Sequence, residues 1–124
     1  MGSKVRVLIA DDHPLFAEAV EATLATEPRF EVVGVARDGR EAVELAQVLR
    51  PDVTLMDIAM PVMDGFEATR RLRELDEGAC VVMLTGSNSR GDVNRARRAG
   101  AAGYVTKDRI ALELVDAIRE VISR

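Results

Sequence analysis

Short apolar runs alternate with stretches of helical period along the whole chain. Five runs predict strands: four are the continuous segments VRVLIA, VTLM, CVVML and GYVT, and the more interrupted EVVGVA is typical of a sheet edge. After each run, apolar residues recur at spacings of three and four, as on one face of a helix. The pattern therefore favours an α/β fold, a doubly wound five-stranded parallel sheet with helices on both faces.

The predicted strands cover about residues 4–10, 31–36, 52–57, 80–84 and 103–106. Pro14 suits the first turn of a helix, and Asp38 and Asp64, each followed three residues later by Glu, predict helix N-caps. Pro51 ends the second helix, and a turn at 86–88 precedes the fourth. The residues expected to face inward from the five helices are Phe16, Val20 and Leu24; Ala42, Leu45, Ala46 and Leu49; Ala68, Leu72 and Leu75; Val93, Ala96 and Ala99; and Ile110, Leu114, Ile118 and Val121.

The last two helices differ in the width of their apolar stripes. The fourth has a thin stripe and several solvent-facing arginines, so we expect it to shift most readily between states. These arginines are Arg90, Arg95, Arg97 and Arg98. In the fifth, Leu112 and Val115 widen the stripe, which either neighbouring elements cover or a partner binds.

Composition narrows the class of protein. The 124 residues suit one domain, residues 1–124, and the 48% apolar fraction suits an ordinary folded protein. No apolar run approaches the roughly 20 residues that cross a bilayer, so we expect a cytoplasmic protein without membrane contact. The net charge of −4 argues against direct nucleic-acid binding. The single Cys80 is expected to be a small buried apolar residue.

Polar residues follow the ends of four predicted strands. Asp11 and Asp12 come after the first, Asp57 closes the third, Thr85 follows the fourth and Lys107 follows the fifth. In a parallel sheet the carboxyl ends of the strands form one rim, where ligands bind. The sequence therefore predicts that these five side chains converge.

Three converging carboxylates require a cation, because two of them about 4 Å apart repel by about 4 kcal/mol at an effective dielectric constant of 20. Mg²⁺ suits such oxygen ligands and commonly accompanies a phosphate. Asp57 can then act as a nucleophile that forms an aspartyl phosphate, with Lys107 and the Thr85 hydroxyl stabilising the phosphoryl oxygens. Lys107 stands out because the chain has two lysines among seventeen basic residues.

These residues resemble the receiver domain of bacterial two-component response regulators, over essentially the whole chain. The resemblance implies the flavodoxin-like receiver fold with strand order 2-1-3-4-5. It also implies a phosphoacceptor at Asp57, a metal site formed by Asp11, Asp12, Asp57 and the carbonyl of Ala59, and catalytic roles for Asp57, Thr85 and Lys107. Met60, Pro61 and Gly65 resemble the loop after the phosphoacceptor, whereas Thr85 and Tyr104 resemble the switch pair.

The segments DDHP and GYVTKD resemble the subfamily whose receivers precede a LuxR-type helix-turn-helix domain. The resemblance implies phosphorylation by a sensor histidine kinase with Mg²⁺ as cofactor, and it allows a homodimer of the phosphorylated form. Transcription would then be controlled through a DNA-binding domain absent from this chain. Such a domain is no turnover enzyme, since it catalyses only its own phosphorylation and dephosphorylation.

Other interpretations remain at this stage. A stand-alone receiver would act in a phosphorelay or as an interaction module, and a degenerate receiver would work by binding alone. A haloacid-dehalogenase phosphatase needs an acid where Ala59 stands, and a flavodoxin-like cofactor site would be repelled by Asp11 and Asp12. His13 follows the acid pair, where a phosphoryl carrier or a metal ligand is the alternative, but it is expected to face solvent. The peptide bond after Lys107 is expected to be trans, because Asp108 follows where many receivers have proline.

Overall fold

The computed structural model describes residues 4–86 and 90–123. Its strands are β1 (Val5–Ala10), β2 (Phe30–Ala36), β3 (Val53–Asp57), β4 (Val81–Thr85) and β5 (Gly103–Thr106). Its helices are α1 (Pro14–Ala25), α2 (Gly39–Leu49), α3 (Gly65–Leu75), α4 (Arg90–Ala99) and α5 (Ile110–Ile122), with a 3₁₀ turn at Lys107–Arg109. The strands form one parallel sheet in the order β2-β1-β3-β4-β5, which confirms the predicted fold.

Two apolar layers cover the two faces of the sheet. Helices α1 and α5 pack on one face, against a set of strand residues that includes Ile9, Leu55 and Leu84. Helices α2, α3 and α4 pack on the other face, where Met56 and Met83 are buried. Successive strand residues point to opposite faces, so β3 and β4 need apolar residues at consecutive positions. This requirement explains the continuous apolar runs.

The helix ends follow the predicted capping residues. The carboxylates of Asp38 and Asp64 accept hydrogen bonds from the backbone N–H groups of Glu41 and Glu67, at 2.8 and 2.9 Å. Both caps fix where a helix leaves the carboxyl-end rim of the sheet. At the other end of α2, Arg50 adopts a left-handed conformation with φ 49° directly before Pro51.

Leu75 and Cys80 are more exposed than predicted, and Leu112 on the widened stripe of α5 is exposed as well. Leu75 is 58% exposed because it is the final residue of α3 and lines an open cleft between α2 and α3. Leu112 is 72% exposed, since it lies about 200° around α5 from the buried Ile110. Cys80 is half-buried rather than fully buried and lines the same cleft as Leu75.

Helix α4 is attached to the sheet by little apolar surface, as predicted. Ala96 is its single buried residue, and Val93 and Ala99 are half-buried. Arg95 is exposed but places its guanidinium 4.0 Å from the centre of the Phe66 ring on α3. In the turn predicted before α4, Ser87 lies outside the described residues, as does the Asn that follows it.

Across residues 4–86 and 90–123, no helix combines the length and the apolar character that crossing a membrane requires. Over the same residues no peptide bond is cis, so the bond after Lys107 is trans, as expected.

Candidate functional site

Strand register brings the polar residues of the rim together. Ala10 of β1 pairs with Met56 of β3, so that Asp11 and Asp57 lie side by side one residue later. Thr85 closes β4 opposite Thr106 of β5, and Lys107 follows directly. Since parallel strands end on the same side, residues distant in sequence share one edge of the sheet.

The carboxylates form a compact acidic pocket. One oxygen each from Asp11, Asp12 and Asp57, together with one ring nitrogen of His13, lie within 4.8 Å of one another. Asp11 and Asp57 are buried, and Asp12 is half-buried. Like charges held this close out of water repel strongly, and this repulsion must be offset by positive charge.

Lys107 supplies part of that positive charge. Its Nζ donates a hydrogen bond to Oδ2 of Asp11 at 3.3 Å. It lies equally close to Oδ2 of Asp57, at 3.3 Å, and forms an ion pair with this carboxylate. The ammonium also sits 4.3 Å from the centre of the Phe16 ring of α1, which favours a cation at this position.

The environment of Asp57 disfavours its charged form. Burial, and then the negative charge of Asp11, raise the pKa of Asp57 from 3.8 to about 6. The charge of Lys107 and a hydrogen bond from the backbone N–H of Ala59 act in the opposite direction on this pKa. One lysine therefore does not neutralise the pocket.

Two buried oxygens show that the pocket fits a metal ion. Oδ1 of Asp12 and Oδ2 of Asp57 accept no hydrogen bond from any described residue. Buried carboxylate oxygens are costly without a partner, and a small divalent cation with oxygen ligands satisfies them. The three carboxylates of this group offer hard oxygens, which are the ligands that Mg²⁺ prefers.

Thr85 and Tyr104 connect the pocket to β5. Thr85 is buried at the end of β4, and its side chain hydrogen-bonds to that of Tyr104. Burial is the main cause that raises the pKa of Tyr104, with a smaller contribution from the charge of Asp92 on α4. Tyr104 is half-buried on the face of the sheet that carries α4. A change at Thr85 can therefore reach α4 through one side chain.

The loop between β3 and α3 is tightly constrained. A Cβ on Gly65 would overlap the carbonyl oxygen of Asp57, so this position requires glycine. Val62 has φ 71°, an uncommon conformation for a β-branched residue, and the sequence pattern gave no sign of it. Met60 is buried and anchors the loop to the core. The backbone that follows Asp57 is therefore fixed by the buried Met60 and by the close packing of Gly65.

His13 is exposed to solvent, as predicted, and its ring also reaches the acidic pocket. Its side chain is 63% exposed, yet Nδ1 lies 3.1 Å from Oδ1 of Asp11 and 3.2 Å from Oδ1 of Asp12. The cause is local: the backbone N–H of His13 donates a 2.8 Å hydrogen bond to Asp11, which turns the chain over the pocket. The ring therefore forms part of the site.

The doubly wound sheet and the acidic pocket at its carboxyl-end rim define a regulatory domain of the receiver class. The family model of the response regulator receiver domain matches residues 7–119, and the chain belongs to this family. Receiver domains are regulatory proteins rather than classical enzymes. They interact with histidine kinases and phosphatases and bind Mg²⁺ in an acidic pocket.

Known proteins support the same conclusion. The transcriptional regulatory protein DegU of Brevibacillus brevis is 42% identical over 119 residues, 96% of this chain and 50% of DegU. The chemotaxis protein CheY of Halobacterium salinarum is 37% identical over 118 residues, 95% of this chain and 97% of CheY. The crystal structure of a LuxR-family two-component response regulator from an Aurantimonas species is 36% identical with a TM-score of 0.93, covering 98% of this chain and 86% of that one.

The chain is thus homologous to LuxR-family transcription regulators, as the segments DDHP and GYVTKD indicate. It spans about half the length of DegU.

Proposed function

We propose that Asp57 accepts a phosphoryl group from the phosphohistidine of a sensor histidine kinase. The observation that carries this proposal is the unsatisfied Oδ2 of Asp57, which is buried between Asp11 and Lys107. An acidic side chain placed in this way is poorly stabilised as it stands. It gains partners when a phosphoryl group and a cation enter the pocket.

In the proposed reaction a carboxylate oxygen of Asp57 attacks phosphorus, and a new P–O bond forms as the P–N bond to the kinase imidazole breaks. The imidazole leaves with the bonding electron pair. Lys107 needs little movement to contact a phosphoryl oxygen, because its Nζ already lies 3.3 Å from Oδ2 of Asp57. Its charge then offsets the negative charge on the transferred group.

Asp11, Asp12 and Asp57, with the carbonyl of Ala59, are the proposed ligands of Mg²⁺. When bound, Mg²⁺ neutralises charge on the phosphoryl oxygens. The three carboxylates would bring a divalent ion next to the nucleophile, and Lys107 alone cannot balance them. The domain thereby promotes its own phosphorylation and its own dephosphorylation without turning over a separate substrate.

Thr85 and Tyr104 are the proposed switch. In the described structure the Thr85 side chain hydrogen-bonds to Tyr104. A phosphoryl oxygen at Asp57 would be a stronger, charged acceptor for the Thr85 hydroxyl, which would release Tyr104. Tyr104 then rearranges against α4 and changes the surface formed by α4, β5 and α5. This surface is the proposed output, and it also offers a site for homodimer formation.

We further propose that residues 1–124 act as one cytoplasmic receiver domain that controls transcription through a DNA-binding domain outside this chain. The relation to DegU supports this proposal, because a transcriptional regulatory protein is matched over half its length. A stand-alone receiver in a phosphorelay is the alternative. It is favoured by the match to CheY of Halobacterium salinarum, which extends over 97% of that protein.

The test is the intact mass of the protein after incubation with acetyl phosphate and Mg²⁺. We expect the gain of one phosphoryl group in the natural sequence, and none with Asp57→Asn or with EDTA. Asp116→Asn is the matched control, because Asp116 is a well-exposed aspartate of α5 and should be labelled like the natural sequence. Full labelling of Asp57→Asn would disprove the assignment of the acceptor.

A further inference from the structure

Among the residues that the structure describes, the imidazole of His13 is the one metal-ligating nitrogen in the acidic pocket. His13 is the single histidine of the chain, and Nδ1 contacts three carboxylates at once. The family-wide Mg²⁺ chemistry of the pocket requires only oxygen ligands. In the described structure Nδ1 and Oδ1 of Asp11 share a 3.1 Å hydrogen bond, and an ion bound at Nδ1 would replace that contact.

Two of the three spacings between the ring nitrogen and the carboxylate oxygens match the edges of a coordination polyhedron, and the third is longer. Two ligands bound at about 2.1 Å to one ion are about 3.0 Å apart at a right angle and about 3.4 Å apart at the tetrahedral angle. Nδ1 of His13 lies 3.1 Å from Asp11 Oδ1, 3.2 Å from Asp12 Oδ1 and 3.8 Å from Asp57 Oδ2. Small side-chain movements would place all four atoms around one ion.

A second observation points to a cation at this position. Oδ2 of Asp57 is buried and accepts no hydrogen bond from a described residue, and the same holds for Oδ1 of Asp12. These two oxygens are among those that Nδ1 approaches. The pocket thus presents unsatisfied oxygens and an imidazole nitrogen to the same space.

We propose that His13 acts as a fourth ligand and makes this pocket a binding site for late first-row transition ions, such as Zn²⁺ and Co²⁺, as well as for Mg²⁺. The inference rests on the cation pocket of the proposed function. Imidazole favours Zn²⁺ and Co²⁺ strongly and contributes little to Mg²⁺, which retains oxygen ligands and water. The proton of the neutral ring would reside on Nε2, which water can solvate because the side chain is 63% exposed.

The test compares Zn²⁺ and Mg²⁺ affinities by calorimetry for the natural sequence, His13→Ala and His13→Gln. We expect the ratio of Zn²⁺ to Mg²⁺ affinity to fall by at least about tenfold in both variants, since each loses a nitrogen ligand. The Gln variant keeps a polar side chain. In both variants the backbone hydrogen bond from residue 13 still holds Asp11 in place. Cys80→Ser is the matched control for the one thiol and should leave the ratio unchanged.

Spectroscopy gives an independent readout. With Co²⁺ bound, the ring protons of the one histidine should show paramagnetic shifts typical of a directly coordinated imidazole, and Asp57→Asn should weaken the binding that produces them. An unchanged affinity ratio in His13→Ala would overturn the proposal. Zn²⁺ binding that is insensitive to Asp57→Asn would also overturn it, because the ion would then bind elsewhere.

These outcomes are distinguishable from failure of the proposed function. Suppose that Mg²⁺ binds and supports labelling at Asp57, and that the ratio of Zn²⁺ to Mg²⁺ affinity is the same with and without the His13 substitutions. Then only the proposed ligand role of His13 is wrong. If neither ion binds in an Asp57-dependent way and acetyl phosphate leaves no label, the cation pocket itself is wrong.

Discussion

Gly65 packs so closely against Asp57 that a single added methyl group would overlap the carbonyl oxygen of the aspartate. The backbone N–H of Gly65 also donates a 2.8 Å hydrogen bond to the carbonyl of Ile58. The first turn of α3 is thereby fixed to the end of β3. Asp57, the proposed acceptor, can keep its position only because residue 65, eight positions later, is a glycine without a side chain.

Gly65→Ala should therefore destabilise the fold by about 1 to 3 kcal/mol, as overpacking in a rigid region does. It should also slow phosphoryl acceptance, because Asp57 would be displaced. Urea denaturation and the rate of labelling by acetyl phosphate measure the two effects. Gly91→Ala in α4 is the control: an added Cβ there meets nothing within 4 Å, so stability should stay equal or rise by up to about 1 kcal/mol.

Asp57→Asn should stabilise the metal-free protein at neutral pH. The pKa of Asp57 is raised from 3.8 to about 6, chiefly by burial, so the folded state binds this proton more tightly than the unfolded state does. The resulting stability is complete below pH 3.8 and is lost as the pH rises through 6. At pH 7.5 the variant should gain about 1 to 2 kcal/mol, a value reduced by the solvent that reaches the open side of the pocket.

The measurement is urea denaturation in EDTA at several pH values from 4 to 8. The difference in unfolding free energy between the two proteins should grow with pH and then level off above 7. A difference that does not vary with pH would contradict the raised pKa of Asp57. Excess Mg²⁺ should narrow the difference, since the natural sequence alone gains the stabilisation from binding.

Lys107→Ala should leave phosphoryl acceptance detectable but slower by about a hundredfold or more, because one charged contact to the transferred group is lost. Initial labelling rates with saturating acetyl phosphate and Mg²⁺ provide the measurement. Lys4→Ala is the matched control, since Lys4 is the other lysine of the chain and is exposed. Equal rates for Lys107→Ala and the natural sequence would show that Lys107 has no role in phosphoryl acceptance.

Thr85→Ala should separate phosphorylation from its structural response. Tyr104 is the one tyrosine and the chain has no tryptophan, so its intrinsic fluorescence reports on the switch alone. Beryllofluoride with Mg²⁺, a mimic of the phosphoryl group, should change this fluorescence in the natural sequence and much less in Thr85→Ala. A full response in the variant would show that Tyr104 moves without Thr85.

Much of this architecture follows from the sequence for identifiable reasons. Parallel strands buried on both faces must be apolar without interruption, so the end of each run locates the rim and its polar residues. The N-caps Asp38 and Asp64 could also be predicted from the sequence. Each carboxylate accepts a hydrogen bond from the backbone N–H three residues later, so both groups lie within one short segment. The family resemblance supplied the strand order, which local pattern does not encode.

The features that the sequence did not reveal depend on three-dimensional detail. The ring of His13 reaches the carboxylates because a backbone hydrogen bond turns the chain, which residue spacing does not indicate. Leu75 is exposed because it is the last residue of α3 and lines the cleft between α2 and α3, whereas its helical spacing is that of a buried residue. The left-handed backbone of Val62 lies in the loop between β3 and α3, where no residue type in the sequence signals it.

The weak attachment of α4 has an energetic consequence. Reversing a two-state population from 1:99 to 99:1 takes about 5.5 kcal/mol, which is within reach of a few charge-assisted hydrogen bonds to one phosphoryl group. A helix fastened by several large apolar side chains would require more than this. Because α4 buries only Ala96, we expect its alternative positions to lie close in free energy, so that the proposed phosphorylation of Asp57 could select one of them. The small size of that alanine would then set how strongly the domain responds to phosphorylation.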